Sequence, residues 1–191
     1  MEDSDIEIRP YLEPEDFGEA FTHELQEQEA AIRARELGLS APSFQLRPEL
    51  VLVGINQTYT MESRIGIPQQ WEQFVRQADS IPDTKGTTFY GVCWNTKPDC
   101  SFDYLTGVEV ATAIHMPNEF TSLKVDARRY AVFAQTSHVS VLPKAIEKIW
   151  SKWVPDCGLK IANAPCVECY TSEFNPGTGM GGMKMWIPLE F

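Results

Sequence analysis

The sequence lacks a long apolar run, a basic stretch and an export signal. No apolar segment in its 191 residues approaches the ~20 that a membrane span requires. The start, MEDSDIEIRP, is acidic, whereas a secretory signal has a basic end and an apolar core. The net charge is -11 and the closest basic cluster is Arg128–Arg129, which argues against unaided binding to nucleic acid. We therefore expect a cytoplasmic protein without membrane contact. Its acidic charge either attracts cationic ligands or, as is more common, only keeps the protein soluble.

Motifs for metals and nucleotides are missing as well. The five cysteines are an odd number without an export signal, which predicts free thiols. Cys166 and Cys169 have the spacing of half a zinc site, but residues three apart in a strand point to opposite faces. Gly177 to Gly182 matches a dinucleotide-binding pattern that no helix follows. We therefore expect neither a metal nor a cofactor.

What remains has the composition of a globular protein, with 43% hydrophobic and 23% charged residues. Residues 14–37 are predicted as a helix, because Pro14 suits a first turn and Gly38 a helix end. Helical periodicity places one apolar stripe on Phe17, Phe21, Leu25, Gln28 and Ile32. We interpret residues 1–45 as a helical extension with a linker, and residues 46–191 as one domain.

One order of elements occurs twice in that domain. Strand, helix, strand and strand are predicted at 50–55, from Pro68, at 87–94 and at 102–113. The order returns at 130–134, from Pro143, at 166–170 and at 183–189. Pro68 aligns with Pro143 and Trp94 with Tyr170, which indicates a β-α-β-β unit used twice. The predicted fold is α+β: one curved antiparallel sheet, two helices on one face, and a ligand groove at the pseudo-twofold seam.

Glu168 is the first candidate for a functional side chain. Strand alternation places it on one face with Cys166 and Tyr170. A carboxylate amid an apolar strand is costly to bury unless it is paired. Two interpretations stay open, a solvent-facing edge residue and the countercharge of a ligand. Glu109 lies in a similar segment, GVEVA, where the alternation favours a solvated face when it is taken alone.

Aromatic residues are concentrated around these strands, while Trp71, Phe74 and Trp150 on the helices are assigned to the core. Rings supply apolar area and electron-rich faces, so a carboxylate ringed by them suits a lipophilic cation. The alternative is that these rings fill the core, as some of them must. The candidate ligand-binding residues from this reasoning are Glu168, Glu109, Tyr90, Trp94, Tyr104, Phe133, Tyr170 and Trp186.

Several motifs between residues 46 and 191 resemble, in order, the GyrI-like domains, also called AraC-type effector-binding domains. They are YGVC, FDYLTGVEV, YAVF, PKAIEKIWSKW, APCVECY and MKMWIPL. The resemblance implies a duplicated β-α-β-β sheet and a groove that binds lipophilic cations beside a glutamate, at Glu168 here. It also implies an aromatic lining that includes Trp153 of the second helix.

The resemblance leaves three functions open. The preferred one is a non-catalytic binder that senses or sequesters a small amphipathic cation. The second is a hydrolase of cyclopropane-bearing genotoxins, with Glu168 as general acid or base and Trp153 beside it, since burial raises a carboxyl pKa. The third is an interaction module, similar to members that act on a topoisomerase, with a protein partner or a second copy. Residues 1–45 offer no recognition helix, so the chain resembles a stand-alone member.

Overall fold

The computed structural model describes residues 14–114 and 116–190, with side chains of the first helix from Thr22 onward. Residues 1–13 of the predicted extension lie outside the described residues. The helices are α1 (Pro14–Glu36), α2 (Ile67–Gln77) and α3 (Leu142–Lys148). Helix α3 continues through a π-helical turn, Ile149–Trp153, into Val154–Asp156. None of these helices is both long and apolar enough to cross a membrane.

Eight strands form one antiparallel sheet. They are β1 (Ser43–Arg47), β2 (Leu50–Tyr59), β3 (Thr84–Trp94), β4 (Phe102–Val110), β5 (Thr121–Val125), β6 (Arg128–Gln135), β7 (Cys166–Tyr170) and β8 (Met183–Pro188). Their order in the sheet is β1-β6-β8-β7-β3-β4-β2-β5. The unit β2-α2-β3-β4 corresponds to the unit β6-α3-β7-β8. When corresponding strands are matched, the order in the sheet is the same from either end. The predicted duplication is therefore confirmed, and its seam lies between β3 and β7.

The sheet is strongly curved. Strands β5 and β6 lie six positions apart in it, yet only Asp126 and Ala127 connect them. Six strand spacings in a flat sheet span ~29 Å, whereas three Cα–Cα steps reach at most ~11 Å. The sheet must therefore curl around one face, which we call the inner face. Its buried cluster draws residues from every strand except β1.

The helices pack on the opposite, outer face. Phe74 of α2 is 0% exposed and lies in the core, as the sequence predicted. Ile149 of the α3 extension is 2% exposed and lies in a second cluster. Helix α1 joins the second cluster through Ala30 and Ala34, which are fully buried. The predicted stripe of α1 is wrong in part, because Leu25 and Ile32 are 44% and 52% exposed.

The start of the sheet precedes the predicted domain boundary. Strand β1 begins at Ser43 and pairs along its whole length with β6, from Ser43 opposite Val132 to Arg47 opposite Arg128. The boundary at residue 46 thus falls inside a paired strand. Helix α1 is also tied to the sheet by the ion pair of Glu27 with Arg129.

Candidate functional site

An open groove of about 2290 Å³ runs between α2 and α3 across the outer face. Its floor is formed by the central strands β3, β4 and β7, and its walls by the two helices. This space exceeds the ~300–1,000 Å³ of typical small-ligand pockets, so the groove admits bulky or elongated molecules. The groove lies at the pseudo-twofold seam, where the sequence predicted a ligand site.

Glu168 lies at the centre of this floor. It sits opposite Gly91 in the β3–β7 pair, and its side chain is half-buried. The hydroxyls of Tyr104 and Tyr170 both donate to Glu168 Oε2, each at 3.0 Å. Trp71 Nε1 of α2 donates in turn to the Tyr104 hydroxyl at 3.1 Å. These bonds hold the carboxylate in one orientation and link it to the wall of the groove.

The missing side chain of Gly91 makes this network possible. Tyr104 belongs to β4, and its ring reaches Glu168 of β7 across the intervening strand β3. A Cβ atom on Gly91 would overlap the Tyr104 hydroxyl and lie 3.2 Å from Glu168 Oε2. The glycine is therefore needed here for close approach rather than for backbone freedom.

We expect Gly91→Ala to displace the Tyr104 ring and break its hydrogen bond to Glu168. That bond stabilises the ionised carboxylate, so its loss should raise the pKa of Glu168 further. NMR titration of the Glu168 carboxyl carbon measures this shift. Tyr104→Phe, which removes the hydroxyl without adding a Cβ, should give a shift of the same sign. An unchanged midpoint in both variants would contradict the network.

Burial dominates the electrostatics of the site. It raises the pKa of Glu168 above its usual 4.5, and the two tyrosine hydrogen bonds offset part of this effect. Among the described residues, no Lys or Arg lies within ion-pairing distance of its carboxylate. The other charged groups that line the groove are Glu62, Glu72, Glu147, Arg64 and Arg76. With Glu168 they leave the groove with a negative excess that favours a cation.

Further aromatic rings line the groove next to Tyr170 and in the opposite wall. Trp71 packs edge-to-face on Tyr170 at 5.0 Å between ring centroids, and Tyr170 packs on Phe174 at 5.1 Å. Trp150 of α3 remains 40% exposed in the opposite wall. Phe174 is not among the predicted site residues, and Trp71 and Trp150 were predicted to lie in the core. Trp71 and Ile146 each follow by three residues the proline at the start of their helix, and both line the groove, so this repeated position is the signal that could have identified Trp71.

Four of the nine predicted site residues line the groove. Glu168, Tyr104 and Tyr170 form its floor, and Trp94 lies at one end of β3. The Trp94 ring packs partly against the inner-face cluster, and its Nε1 donates to Asn56 at 3.1 Å. Trp94 packs toward the inner face and Tyr170 lies in the groove floor, so the two residues are not equivalent positions of the two units as their alignment predicted.

The other five predicted residues lie away from the groove. Tyr90 and Trp186 are buried on the inner face, where their rings meet at 6.3 Å. Glu109 alternates with the groove-side residues of β4 and pairs with Lys85 at 3.2 Å. Phe133 and Trp153 pack edge-to-face at 4.9 Å beneath α1. In each case the strand register or the rotation of the helix points the side chain away from the groove at the seam.

The duplicated sheet, its curvature and a seam groove with a central glutamate agree with one known domain. The family model described as the GyrI-like small molecule binding domain matches residues 40–190. The chain belongs to this family.

Individual relatives of this GyrI-like chain differ in length and role. The transcriptional regulator BrlR of Pseudomonas aeruginosa is 26% identical over 125 residues, a match that covers 64% of this chain and 46% of the regulator. The chain thus spans less than half the length of that curated relative. The structure of SAV2435 bound to tetraphenylphosphonium aligns with a TM-score of 0.63 at 18% identity, covering 78% of this chain and 93% of that one.

A third relative has a nucleic-acid complex. The EcmrR–DNA complex aligns with a TM-score of 0.65 at 13% identity, covering 91% of this chain and 69% of that one. At these identities the two solved structures show a shared fold. The GyrI-like fold predicted from the sequence is thereby confirmed.

Proposed function

We propose that this GyrI-like domain binds lipophilic organic cations in the seam groove, with the Glu168 carboxylate as the countercharge. The observation that carries the proposal is a carboxylate that accepts two tyrosine hydroxyls, lacks a basic partner among the described residues, and faces an aromatic groove. The domain would sense or sequester such a ligand, as the sequence analysis preferred.

The unpaired charge of Glu168 is the physical reason for this choice of ligand. A half-buried carboxylate without a counter-ion is held at a free-energy cost. A cation with apolar substituents removes that cost, because its charge meets the carboxylate while its substituents contact the rings of Trp71, Tyr170 and Trp150. A neutral ligand of the same shape gains the ring contacts alone.

The fold relatives agree with this choice. SAV2435, which shares the fold, has been solved with tetraphenylphosphonium, a permanent cation with four phenyl groups. The groove of about 2290 Å³ is large enough for a molecule of that size. Catalysis is not proposed, because Trp153, the second residue of the hydrolase interpretation, is fully buried and donates Nε1 to the Ala30 carbonyl.

Tetraphenylphosphonium is the test ligand, followed by tryptophan fluorescence and calorimetry as a function of pH. Burial raises the Glu168 pKa in the free protein, so the carboxyl is protonated at low pH and the cation must displace that proton. Affinity should rise with pH through the raised pKa and become constant above it. Uncharged triphenylphosphine oxide serves as the matched control and should bind weakly, with no dependence on pH in this range.

Equal affinity for the cation and the neutral control at neutral pH would overturn the proposal. So would an affinity for the cation that stays constant from acid to neutral pH while the protein remains folded. Circular dichroism at each pH establishes that the fold is intact.

A further inference from the structure

Two cysteines that are far apart in the sequence face each other on the floor of the groove. Cys93 of β3 and Cys166 of β7 are direct partners in the antiparallel ladder, two residues along from the pair of Gly91 and Glu168. Both side chains line the groove, are half-buried and are free thiols. Cys169, which together with Cys166 has the spacing of half a zinc site, does not belong to this pair, because it is buried on the inner face.

Ladder geometry brings these thiols within reach of a single atom. Directly opposed residues of an antiparallel pair have Cβ atoms ~4.5–5.5 Å apart on the same face. Their Cα separation of ~4.5–5.5 Å falls in the range that a two-sulfur bridge spans. An atom that binds two sulfurs can therefore be held between Cys93 and Cys166 while the backbone stays in place.

We infer that Cys93 and Cys166 form a dithiol site that captures trivalent organoarsenicals, with the organic group lying among the groove aromatics. This inference builds on the proposed function, since it names a second class of ligand for the same groove. Among the described residues, no group of three or more His, Cys, Asp or Glu could hold a metal ion. A monosubstituted arsenic(III) centre needs two sulfurs, because carbon occupies its third position.

The capture step balances without an oxidant or a reductant. The arsenic–oxygen bond of an R–As=O compound is broken, and two arsenic–sulfur bonds form. The two thiol protons leave with the oxygen as one water molecule, and arsenic stays trivalent. Burial raises the pKa of Cys93 to about 11 and that of Cys166 still higher, so both thiols are protonated at neutral pH. Protonated thiols react slowly with monofunctional alkylating agents, which keeps the pair available for a two-point ligand.

Phenylarsine oxide tests the inference on the full chain. The expected result is one phenylarsine adduct by intact-mass spectrometry, accompanied by the loss of two titratable thiols. The adduct should survive excess glutathione and be removed by dithiothreitol. Cys93→Ser and Cys166→Ser should each weaken capture by ~10²–10⁴-fold, because one sulfur loses the effective-concentration advantage of the second. Cys93→Ala and Cys166→Ala should behave in the same way if serine disturbs the fold.

Cys100→Ser and Cys169→Ser are the matched controls and should retain capture. Cys100 also lines the groove, so its variant is the stricter control. Loss of the adduct in Cys100→Ser or in Cys169→Ser, or its absence from the wild-type protein, would overturn the inference. Glu168→Gln separates this site from the cation site. It should keep the arsenical adduct while it lowers affinity for tetraphenylphosphonium, and the cysteine variants should show the reverse pattern.

Discussion

Replacing Glu168 with glutamine is expected to weaken tetraphenylphosphonium binding by ~10–100-fold, or ~1.4–2.8 kcal/mol. Glutamine keeps the shape of the side chain and an oxygen that can replace Oε2 as the acceptor of both tyrosine hydroxyls, but it removes the charge that the cation meets. The pH dependence of affinity should disappear with it. Titration of wild-type and variant proteins by calorimetry at neutral pH and at a series of lower pH values measures both effects.

The thermal stability of Glu168→Gln shows whether its lower affinity results from partial unfolding. The folded pKa of Glu168 lies above its usual value, so the folded state holds a proton that the unfolded chain releases as pH rises. Ionisation of Glu168 therefore costs stability between the two pKa values, and that cost persists at higher pH. Glu168→Gln removes it, so its thermal midpoint at neutral pH should equal or exceed that of the wild type.

Glu109→Gln is the matched control, since it neutralises a mid-strand glutamate on the other face of β4. Its partner is the side chain of Lys85, and it has no contact with the groove. Affinity for tetraphenylphosphonium should remain within about twofold of wild type, because Glu109 does not line the groove. A loss equal to that of Glu168→Gln would mean that net charge alone attracts the cation.

The architecture was predictable because each unit of the duplication carries its own local signals. Proline at the start of both helices, aromatic and β-branched strands and the repeated order of elements indicate the sheet without long-range information. The strand alternation of Cys166, Glu168 and Tyr170 likewise follows from local geometry, and all three line the groove. Each of these features is determined by residues that are close together in the sequence.

Residue contacts at the site depend on register and on small side chains, which periodicity does not encode. Tyr104 and Glu168 lie on the two strands that flank β3. The Tyr104 hydroxyl reaches Glu168 because β3 has a glycine, Gly91, where the tyrosine ring crosses it. Cys93 meets Cys166 through the same register, whereas the conspicuous Cys166–Cys169 spacing places its thiols on opposite faces. In α1, fully buried Ala30 and Ala34 allow close packing, while the larger apolar residues Leu25 and Ile32 are exposed.

The orientations of the two tryptophans in the α3 extension also could not be predicted from helical periodicity. A regular helix would place Trp150 and Trp153 on neighbouring faces, about 60° apart around the axis. The turn Ile149–Trp153 is π-helical, which adds a residue to the turn and changes this angle. Trp150 is left in the groove wall, 40% exposed, and Trp153 is enclosed beneath α1 at 0%.

Trp153→Phe is therefore expected to damage the fold and spare the ligand site. The substitution removes the hydrogen bond from Nε1 to the Ala30 carbonyl, 2.8 Å long, and leaves a cavity against Phe133. A buried carbonyl without its donor and the lost ring volume should together cost about 2–4 kcal/mol of unfolding free energy. For a chain of this length the thermal midpoint should fall by about 4–16 °C. Denaturant unfolding and calorimetric scanning measure the two quantities.

The same substitution at the other site, Trp71→Phe, should reduce ligand affinity more than it reduces stability. Trp71 lines the groove, donates to the Tyr104 hydroxyl and packs on Tyr170, so its loss should weaken tetraphenylphosphonium binding severalfold with a smaller cost in stability. Trp153→Phe should bind within about twofold of wild type wherever it is folded, because its ring has no exposed surface for a ligand. If Trp153→Phe instead lost affinity at full stability, the ligand would have to reach beneath α1. The tryptophan-and-glutamate arrangement of the hydrolase interpretation would then regain its basis.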